Sequence, residues 1–237
     1  MSTLYLVSTP IGNLEDITIR ALKTLFSVDI VACEDTRVTG NLLELLKNKY
    51  HEFLPTGTKP SLVSYHDANE ETMAPELIHL LESGKNIALV SDAGTPLVSD
   101  PGYRIVLEAK KRIIPVIVVP GASAVLTALV GSGLPTNNFT FLGYLPEKQG
   151  KRVQELENIR KAHGFIPSTY VCYIAPHKLI HTVEDLKTVY GDIPVAIARE
   201  LTKLHEEYWS GTLSEALKHF SNPKGEFVLL FSLPSGT

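Results

Sequence analysis

The chain has 237 residues, of which 44% are hydrophobic, and its formal net charge is -4. This length and apolar content suffice for a large core in one domain or in two smaller ones. Residues 1–118 carry 11 basic and 15 acidic side chains, whereas residues 119–237 carry 11 of each. The balance excludes a generally basic nucleic-acid-binding protein, so any nucleic-acid contact must come from local basic patches.

The sequence favours a chain that does not enter a membrane. It contains no apolar run of the roughly 18 residues that a membrane-spanning helix needs. The apolar start of the chain lacks a preceding basic region, which favours a first strand over a secretory signal peptide. Cys33 and Cys172 both lie within apolar runs. Because buried, reduced thiols are typical of intracellular proteins, we expect a cytoplasmic protein.

Short apolar runs alternate with segments of helical spacing through the first half of the chain. The apolar runs predict strands, and the segments between them predict helices. This alternation is typical of a parallel sheet that is covered on both faces. The predicted strands are residues 4–8, 30–33, 61–64, 87–90 and 113–119, and the predicted helices are residues 17–27, 39–47, 70–82 and 102–111.

A proline and a glycine follow Val119 and interrupt this pattern. We predict a domain boundary here, which gives an N-terminal α/β domain of residues 1–119 and a C-terminal α/β domain of residues 120–237. Two consecutive strands near the end of the chain predict a mixed sheet in the second domain. Its predicted strands are residues 139–144, 169–173, 195–199, 206–212 and 226–232, and its predicted helices are residues 123–130, 149–163, 177–190 and 213–220.

Ligands of parallel sheets bind beyond the carboxyl ends of the strands, so the loops that leave the strands are candidate functional sites. The loop after the first strand contains Pro10, Ile11 and Gly12. It lacks the glycine spacing of a dinucleotide-binding or phosphate-binding loop. An ordinary turn in which Asn13 or Asp16 caps the next helix is an equally good interpretation.

Ionisable side chains follow the second predicted strand. Glu34, Asp35 and Arg37 come directly after a buried apolar run, where three charged groups are unusual. Alternatively, Asp35 and Arg37 form a local pair that caps the next helix.

His66 and Asp67 follow the third predicted strand and offer an imidazole and a carboxylate. No metal site is expected there, because His66 has no second ligand at a suitable spacing. A turn with a helix cap is again an equally good interpretation.

The loop after the fourth predicted strand is the most informative. Asp92, Ala93, Gly94 and Thr95 follow that strand directly. The two small residues let a ligand approach the backbone closely. The Asp92 carboxylate can accept hydrogen bonds from a ribose or an amino group, and the prolines and glycines nearby predict a rigid loop.

The loop after the fifth predicted strand opens a helix of small residues and contains Gly121, Ser123 and Ala124. Free N–H groups at the start of a helix can bind a carboxylate, and domain junctions are common ligand sites. In the second domain, Arg152 and His163 belong to a basic cluster on one predicted helix. Interleaved glutamates favour a solvated face for that helix.

Five segments of the chain resemble, in order, the signature segments of the ribosomal RNA small subunit methyltransferase I family of the tetrapyrrole methylase superfamily. They are STPIGNLEDIT, ACEDTR, SYHDANE, ALVSDAGTPLVSDPG and ARELTK, and the resemblance extends from about residue 4 to residue 230. It implies two α/β domains with S-adenosylmethionine (SAM) in the cleft between them, and a homodimer. It also implies 2′-O-methylation of a cytidine ribose in 16S rRNA, either free or within the small ribosomal subunit.

The resemblance further implies which residues contact the cofactor. Many members of the family carry an acidic residue where Ile174 stands here. Longer members also have a C-terminal extension, and we expect no RNA contact of that kind from this chain. The expected cofactor-binding residues are Pro10, Ile11, Gly12, Asp92, Ala93, Gly94, Thr95, Gly121, Ser123, Ala124, Tyr173, Ile174 and Ala198.

A ribose hydroxyl is a weak nucleophile until a base accepts its proton, and a general base contributes roughly 10²–10⁴-fold in typical enzymes. We expect the base, or the residue that orients it, to be an acidic residue or histidine of the second or third strand-end loop. Two basic residues are expected to bind phosphate or to ease deprotonation. The proposed catalytic residues are Glu34, Asp35, Arg37, His66, Asp67 and Lys203.

Two alternatives remain open from the sequence. One is a methylase of a small tetrapyrrole precursor on the same fold. The other is a non-catalytic, ribosome-associated RNA-binding relative that has kept the fold.

Overall fold

The structure, a computed structural model, describes residues 2–55 and 59–234. The chain divides into two compact units, Met1–Ser123 and Ala124–Thr237. Each unit contains one five-stranded sheet and its own hydrophobic core.

All neighbouring strands of the first sheet are parallel. The strands are β1 (Leu4–Val7), β2 (Ile30–Cys33), β3 (Ser61–Ser64), β4 (Ile87–Leu89) and β5 (Val116–Val119). Their order across the sheet is β3-β2-β4-β1-β5, so the loops after β1 and β4 leave adjacent central strands. The predicted parallel sheet is confirmed.

In the part of the first unit that the structure describes, four helices cover the two faces of this sheet, as expected from the alternation of strands and helices. Leu4 and Leu6 belong to one apolar cluster, whereas Val7 belongs to the other, which follows from the opposite directions of successive side chains in a strand. The helices are α1 (Ile19–Leu25), α2 (Thr36–Lys49), α3 (Glu70–Glu82) and α4 (Tyr103–Lys111), with short 3₁₀ turns at Leu14–Asp16 and His51–Phe53. Residues of α3 and α4 complete the first cluster, and residues of α1 and α2 complete the second.

The sheet of the second unit is mixed, as predicted. Its strands are β6 (Phe139–Tyr144), β7 (Thr169–Ile174), β8 (Pro194–Arg199), β9 (Glu207–Thr212) and β10 (Phe227–Ser232). They lie in the order β6-β7-β10-β8-β9. The β6–β7 pair is parallel and the other three pairs are antiparallel.

The helices of the second unit pack on an apolar cluster in which Leu156, Leu186 and Phe231 are fully or almost fully buried. In the described part of the chain, no helix is both long and apolar enough to cross a membrane. The helices are α5 (Ala124–Gly131), α6 (Gln149–His163), α7 (Leu179–Tyr190) and α8 (Leu213–His219), with a 3₁₀ turn at Pro176–Lys178.

Several elements begin at other residues than the sequence pattern predicts, and each shift has a local cause. Strand β5 starts at Val116 because Ile113, with a φ of 58°, lies in a turn. Helix α2 starts at Thr36, three residues early, because Asp35 caps it. Helix α7 starts at Leu179, since the preceding residues form a 3₁₀ turn that begins with a proline.

The expected solvated face of α6 is wrong for two of its basic residues. Arg152 and His163 are each 4% exposed. The guanidinium of Arg152 lies against the buried carboxylate of Asp185, with an Nε–Oδ2 distance of 2.7 Å. The ring of His163 accepts a hydrogen bond at Nδ1 from the backbone N–H of Ser168 at 3.4 Å. Helix α6 therefore buries the charged side chain of Arg152, although its interleaved glutamates predict a solvent-exposed face.

Candidate functional site

Hydrogen bonds hold together the loops that leave β1, β4 and β5. The backbone N–H of Thr9 donates to the carbonyl of Gly94 at 2.9 Å, and the N–H of Gly94 donates back to Thr9 at 3.1 Å. The Thr95 hydroxyl donates to the carbonyl of Ala122 at 3.1 Å. Because the Thr95 hydroxyl has a single proton and donates it to Ala122, it must accept in its bond with Ser8. The Ser8 hydroxyl, 3.0 Å away, is therefore the donor in that bond. Three loops therefore form one rigid group.

Two glycines in this group occupy places where a side chain would not fit. Gly94 has a φ of 83°, and a Cβ there would lie 3.2 Å from Cγ2 of Ile11. A Cβ on Gly121 would lie 2.9 Å from Cβ of Ser8, closer than real Cβ atoms come. Neighbouring atoms of the chain thus occupy the side-chain position of both residues, so this close packing of the three loops requires glycine.

The other expected cofactor residues of these loops differ in exposure. Pro10 and Ile11 are buried and support the loop from within, whereas Gly12 is exposed at its turn. Asp92 and Ala93 are exposed beside the buried Gly94. The Asp92 carboxylate is therefore the acidic group of this loop that can meet a ligand from solvent.

Carboxylates connect the loops after β2 and β4. The backbone N–H of Asp92 donates to Oε1 of Glu34 at 3.4 Å, and the N–H of Asp35 donates to Oδ1 of Asp92 at 3.2 Å. Burial raises the pKa of Glu34 to about 7, and repulsion by Asp100, Asp92 and Asp67 acts in the same direction. Burial likewise raises the pKa of Asp100, with further contributions from Asp92 and Asp67. Two carboxyl groups with raised pKa values thus lie at this edge of the sheet.

Asp35 and Arg37 form the local pair that the sequence left open as an alternative. The backbone N–H of Arg37 donates to Oδ1 of Asp35 at 2.8 Å, and its Nη2 donates to Oδ2 at 2.7 Å. These side-chain and backbone hydrogen bonds lower the pKa of Asp35. The Arg37 side chain is 87% exposed. Asp35 is therefore a poor proton acceptor, while Arg37 still faces solvent.

The turn after β3 that carries His66 and Asp67 is held by an asparagine that the sequence analysis did not select. Asn69 accepts a hydrogen bond from the backbone N–H of His66 at 2.8 Å and donates one to the carbonyl of Ser64 at 3.0 Å. His66 is half-buried and Asp67 is exposed. The turn thus has a defined shape that presents the Asp67 carboxylate outward.

Glu70, also missed by the sequence analysis, joins this turn to the end of the loop after β4. Its Oε1 accepts hydrogen bonds from the Tyr65 hydroxyl at 2.9 Å and from the backbone N–H groups of Gly102 and Arg104, both at 3.2 Å. Gly102 is the N-cap of α4 and has no side chain to cap it. The only sequence signal for this role was a glycine at a helix start, which needs an acceptor from elsewhere.

Ser123 and Ala124 lie where the two units meet in sequence: Ser123 ends the first unit, and Ala124 begins α5. Both are half-buried.

The remaining expected cofactor residues belong to the sheet of the second unit. Tyr173 has its ring 5.0 Å from that of Phe141 and 5.6 Å from that of Tyr144, measured between centroids. Ile174 and Ala198 are 5% and 1% exposed. Ile174 belongs to the apolar core of the second unit.

Lys203 lies in a loop after β8 and is held by two carboxylates. Its Nζ is 3.2 Å from Oε1 of Glu200 and 3.0 Å from Oε2 of Glu226. Burial acts to lower the pKa of Lys203, but Glu226 and Glu200 outweigh it and the pKa is raised. The ammonium group of Lys203 is therefore held in ion pairs within the described structure. The same loop has an unusual backbone, since Glu200 and Thr202 have φ values of 49° and 65°.

The comparisons with known proteins agree with this architecture. Residues 3–217 match the family model described as Tetrapyrrole (Corrin/Porphyrin) Methylases. The crystal structure of uroporphyrin-III-C-methyltransferase from Thermus thermophilus superimposes with a TM-score of 0.61 at 22% identity, over 97% of this chain and 94% of that one. Fold and strand-end loops thus define an α/β protein of the methylase class, and the expected fold class is confirmed.

Curated relatives are more similar in sequence and share one name, ribosomal RNA small subunit methyltransferase I. The relative from Halalkalibacterium halodurans is 48% identical over 231 residues, which cover 96% of this chain and 75% of the relative. The relative from Thermotoga maritima is 44% identical over 234 residues, covering 98% of this chain and 99% of the relative. The chain belongs to the ribosomal RNA small subunit methyltransferase I family of the tetrapyrrole methylases, and it is a methyltransferase.

Proposed function

We propose that the chain is a SAM-dependent 2′-O-methyltransferase that acts on a cytidine ribose of 16S rRNA. The observation that carries this proposal is the group of strand-end loops in the first unit. There, the loop that Gly94 joins to Thr9 carries the exposed Asp92 carboxylate, and Glu34 contacts the backbone of Asp92. Family membership supports methyl transfer, and the relatives named above are ribosomal RNA methyltransferases.

The residues present in these loops fit SAM. Gly94 and Gly121 let the loops after β4 and β5 pack closely against the loop after β1, which holds Asp92 and Ala93 at the exposed end of the sheet. The exposed Asp92 carboxylate can accept hydrogen bonds from the ribose hydroxyls or the ammonium group of the cofactor. When bound, SAM supplies an electrophilic methyl group on its sulfonium. The protein residues have to position the ribose hydroxyl and take up its proton.

Glu34 is the best candidate among the expected residues for accepting that proton. A general base works best when its pKa lies near the operating pH, and the pKa of Glu34 is raised to about 7. The pKa of Asp35, in contrast, is lowered by its hydrogen bonds with Arg37. Asp67 and His66 remain in the same turn, and we assign them to positioning the substrate.

Of the two basic residues, Arg37 is better placed to bind substrate phosphate. Its Nε and Nη2 contact Asp35, while the guanidinium stays largely exposed. Lys203 is held between two carboxylates, and we assign it to shaping its loop. Tyr173 and Ala198 remain expected contacts of the cofactor from the second unit.

We further propose that the protein is a cytoplasmic homodimer. Strand β5 forms one edge of the first sheet, and its Ile117 and Val118 side chains are 43% and 55% exposed. Apolar side chains on a sheet edge are a surface that a second copy would cover. Sedimentation equilibrium should give twice the monomer mass, and a monomer at micromolar concentration would contradict this part of the proposal.

The function is tested with methyl-labelled SAM and small ribosomal subunits from a strain that lacks the endogenous enzyme. The expected product is one 2′-O-methylcytidine per subunit, identified by mass spectrometry of nuclease digests. Uroporphyrinogen III serves as the competing substrate. Methylation of the tetrapyrrole instead of the subunit would contradict the proposal. Calorimetry with SAM alone tests the alternative of a non-catalytic RNA-binding relative, because such a protein would show no binding of SAM.

A further inference from the structure

A groove on the first unit, away from the strand-end loops, has the chemistry of an RNA-binding surface. It encloses about 330 Å³ between the exposed side of α1 and the segment that follows α2. Its lining residues are Arg20, Lys23, Thr24, Ser27, Phe53, Leu54 and Pro55.

Arg20 differs from the other arginines of the chain in its charge environment. Six of the seven arginines lie within 4.0 Å of a carboxylate: Arg37, Arg104, Arg112, Arg152, Arg160 and Arg199. Within residues 2–55 and 59–234, Arg20 has no such partner, and neither has its groove neighbour Lys23.

This lack of partners is notable because the first unit carries 11 basic and 15 acidic side chains. Carboxylates are thus in excess, yet two cations three residues apart on α1 stay unpaired. Glu15, near the start of this segment, is engaged by Lys49 at 2.9 Å. An external anion is therefore the available partner for Arg20 and Lys23, and two cations at this spacing suit a phosphodiester.

The hydroxyl groups of the groove favour RNA over a simple anion. Thr24 donates its hydroxyl proton to the carbonyl of Arg20 at 2.8 Å, and Ser27 donates its proton to the carbonyl of Thr24 at 3.0 Å. Because both protons are used, the oxygen lone pairs remain as acceptors. A ribose 2′-hydroxyl is a donor that matches them, whereas a simple anion without an O–H group, such as sulfate, offers no proton.

The opposite wall of the groove adds an aromatic surface. Phe53 is 37% exposed although it lies in a short turn beside Leu54 and Pro55. Single-stranded RNA is typically bound by cations that contact the backbone together with an aromatic ring on which a base stacks. We propose that this groove binds single-stranded rRNA through Arg20, Lys23 and Phe53, as a second contact outside the catalytic loops. This inference rests on the proposed function, since it assigns the groove to the same substrate.

The test compares Arg20→Gln/Lys23→Gln with Lys110→Gln/Lys218→Gln. Both double variants remove two positive charges, and Lys110 and Lys218 are exposed residues outside the groove. With small subunits as substrate, we expect the groove variant to raise KM about tenfold while kcat and SAM binding stay unchanged. The control should keep the wild-type KM. Equal KM values for the two variants would overturn the proposal.

A direct binding measurement keeps this test independent of the catalytic proposal. Binding of a 12-nucleotide single-stranded RNA is measured at several salt concentrations. Loss of two phosphate contacts should reduce the slope of log K against log salt concentration by about 1.4, at roughly 0.7 per phosphate. Phe53→Leu should weaken binding several-fold without changing the slope, and Arg20→Lys/Lys23→Arg should bind like wild type.

An unchanged salt slope in the glutamine variant would overturn the groove assignment. If wild-type protein bound the oligonucleotide in this way but transferred no methyl group to subunits, the proposed function would fail and the groove would stand.

Discussion

The phenol of Tyr65 donates a hydrogen bond to the carboxylate of Glu70 at 2.9 Å, across a turn that carries two of the expected catalytic residues. Tyr65 is completely buried. The same carboxylate oxygen also accepts the N–H groups of Gly102 and Arg104 at the start of α4. One side chain therefore fixes the end of β3, the start of α3 and the end of the loop after β4. This connection fixes the relative positions of the loops that carry the acidic groups of the site.

Glu70→Ala should destabilise the protein by about 2 kcal/mol, because a buried hydroxyl and the first turn of α4 lose their acceptor. Glu70→Gln keeps one acceptor oxygen and should cost less. Urea denaturation followed by circular dichroism measures both values. The control is Glu71→Ala, which removes only an ion pair with Arg104 whose glutamate is 76% exposed, and it should change stability by less than about 0.5 kcal/mol. Equal losses at the two positions would refute the bridging role of Glu70.

Gly94→Ala should impair SAM binding and methyl transfer. The alanine must adopt a φ of 83°, which costs about 1–2 kcal/mol, and its Cβ must displace the side chain of Ile11 from 3.2 Å. A displaced cofactor is expected to lower the rate by on the order of 10- to 100-fold.

Gly84→Ala is the matched control for Gly94. Gly84 has a φ of 97°, and a Cβ added there would meet no atom within 4 Å. Both variants place an alanine at a positive φ and should lose stability in thermal unfolding, Gly94→Ala by at least as much as Gly84→Ala, while only Gly94→Ala loses SAM affinity in calorimetry. Full SAM affinity in the Gly94 variant would place the cofactor elsewhere.

The raised pKa of Glu34 predicts a pH-dependent rate. If Glu34 accepts the proton, the single-turnover rate should rise with pH and level off above its pKa of about 7. Glu34→Gln should lower the rate at least about tenfold and remove this inflection. Asp100→Asn removes a neighbouring charge that raises the pKa of Glu34, so it should move the inflection to lower pH. An inflection that survives in the glutamine variant would assign the base to another residue.

The raised pKa of Glu34 should affect the free energy of unfolding in the direction opposite to the rate: its contribution to stability should fall as the pH rises. A carboxyl group whose pKa is raised from 4.5 to about 7 in the folded state stabilises the fold most below pH 4.5. That contribution is lost as the pH rises through about 7, because the unfolded chain ionises more easily than the folded one. Glu34→Gln does not ionise, so its stability relative to wild type should increase between pH 4.5 and 7. Urea unfolding at several pH values measures this difference, and a constant difference would contradict the raised pKa.

Most of the fold could be predicted because its apolar periodicity is local. The strand-helix alternation of the first unit and the two consecutive strands of the second unit are both present in the structure. The predicted and observed starts of elements differ where a single side chain or backbone angle determines the first residue. Asp35 caps α2, and Ile113 adopts a positive φ before β5. Propensity carries little information about such ends, since capping depends on individual hydrogen bonds.

The candidate site was less accessible to sequence reasoning, because its order comes from residues distant in sequence. The Thr9–Gly94 and Glu34–Asp92 contacts join segments that parallel strand order brings together. Loop residues could be selected by the rule that ligands bind at strand ends. The helix-capping role of Asp35 was open from the sequence as an alternative to a catalytic one. The bridging role of Glu70 could not be selected, since it depends on which N–H groups lack an acceptor in the folded chain.

The buried pair of Arg152 and Asp185 gives a last prediction, for the second unit. Their side chains are 5% and 4% exposed, and Arg152 also donates to the carbonyls of Pro146 and Glu147 at 3.1 and 3.0 Å. Asp185→Ala should cost about 3–5 kcal/mol, because it leaves a buried guanidinium without its counter-charge.

Replacing both members of this pair tests that reason. Arg152→Met/Asp185→Leu removes both charges, so it should be less destabilised than Asp185→Ala although two carbonyls lose a donor. Glu157→Ala, which breaks only the more exposed pair with Arg160, is the control and should cost less than about 0.5 kcal/mol. Guanidinium unfolding ranks the three variants. If the double variant proved less stable than Asp185→Ala, the cost would lie in lost packing and carbonyl contacts and not in the uncompensated charge.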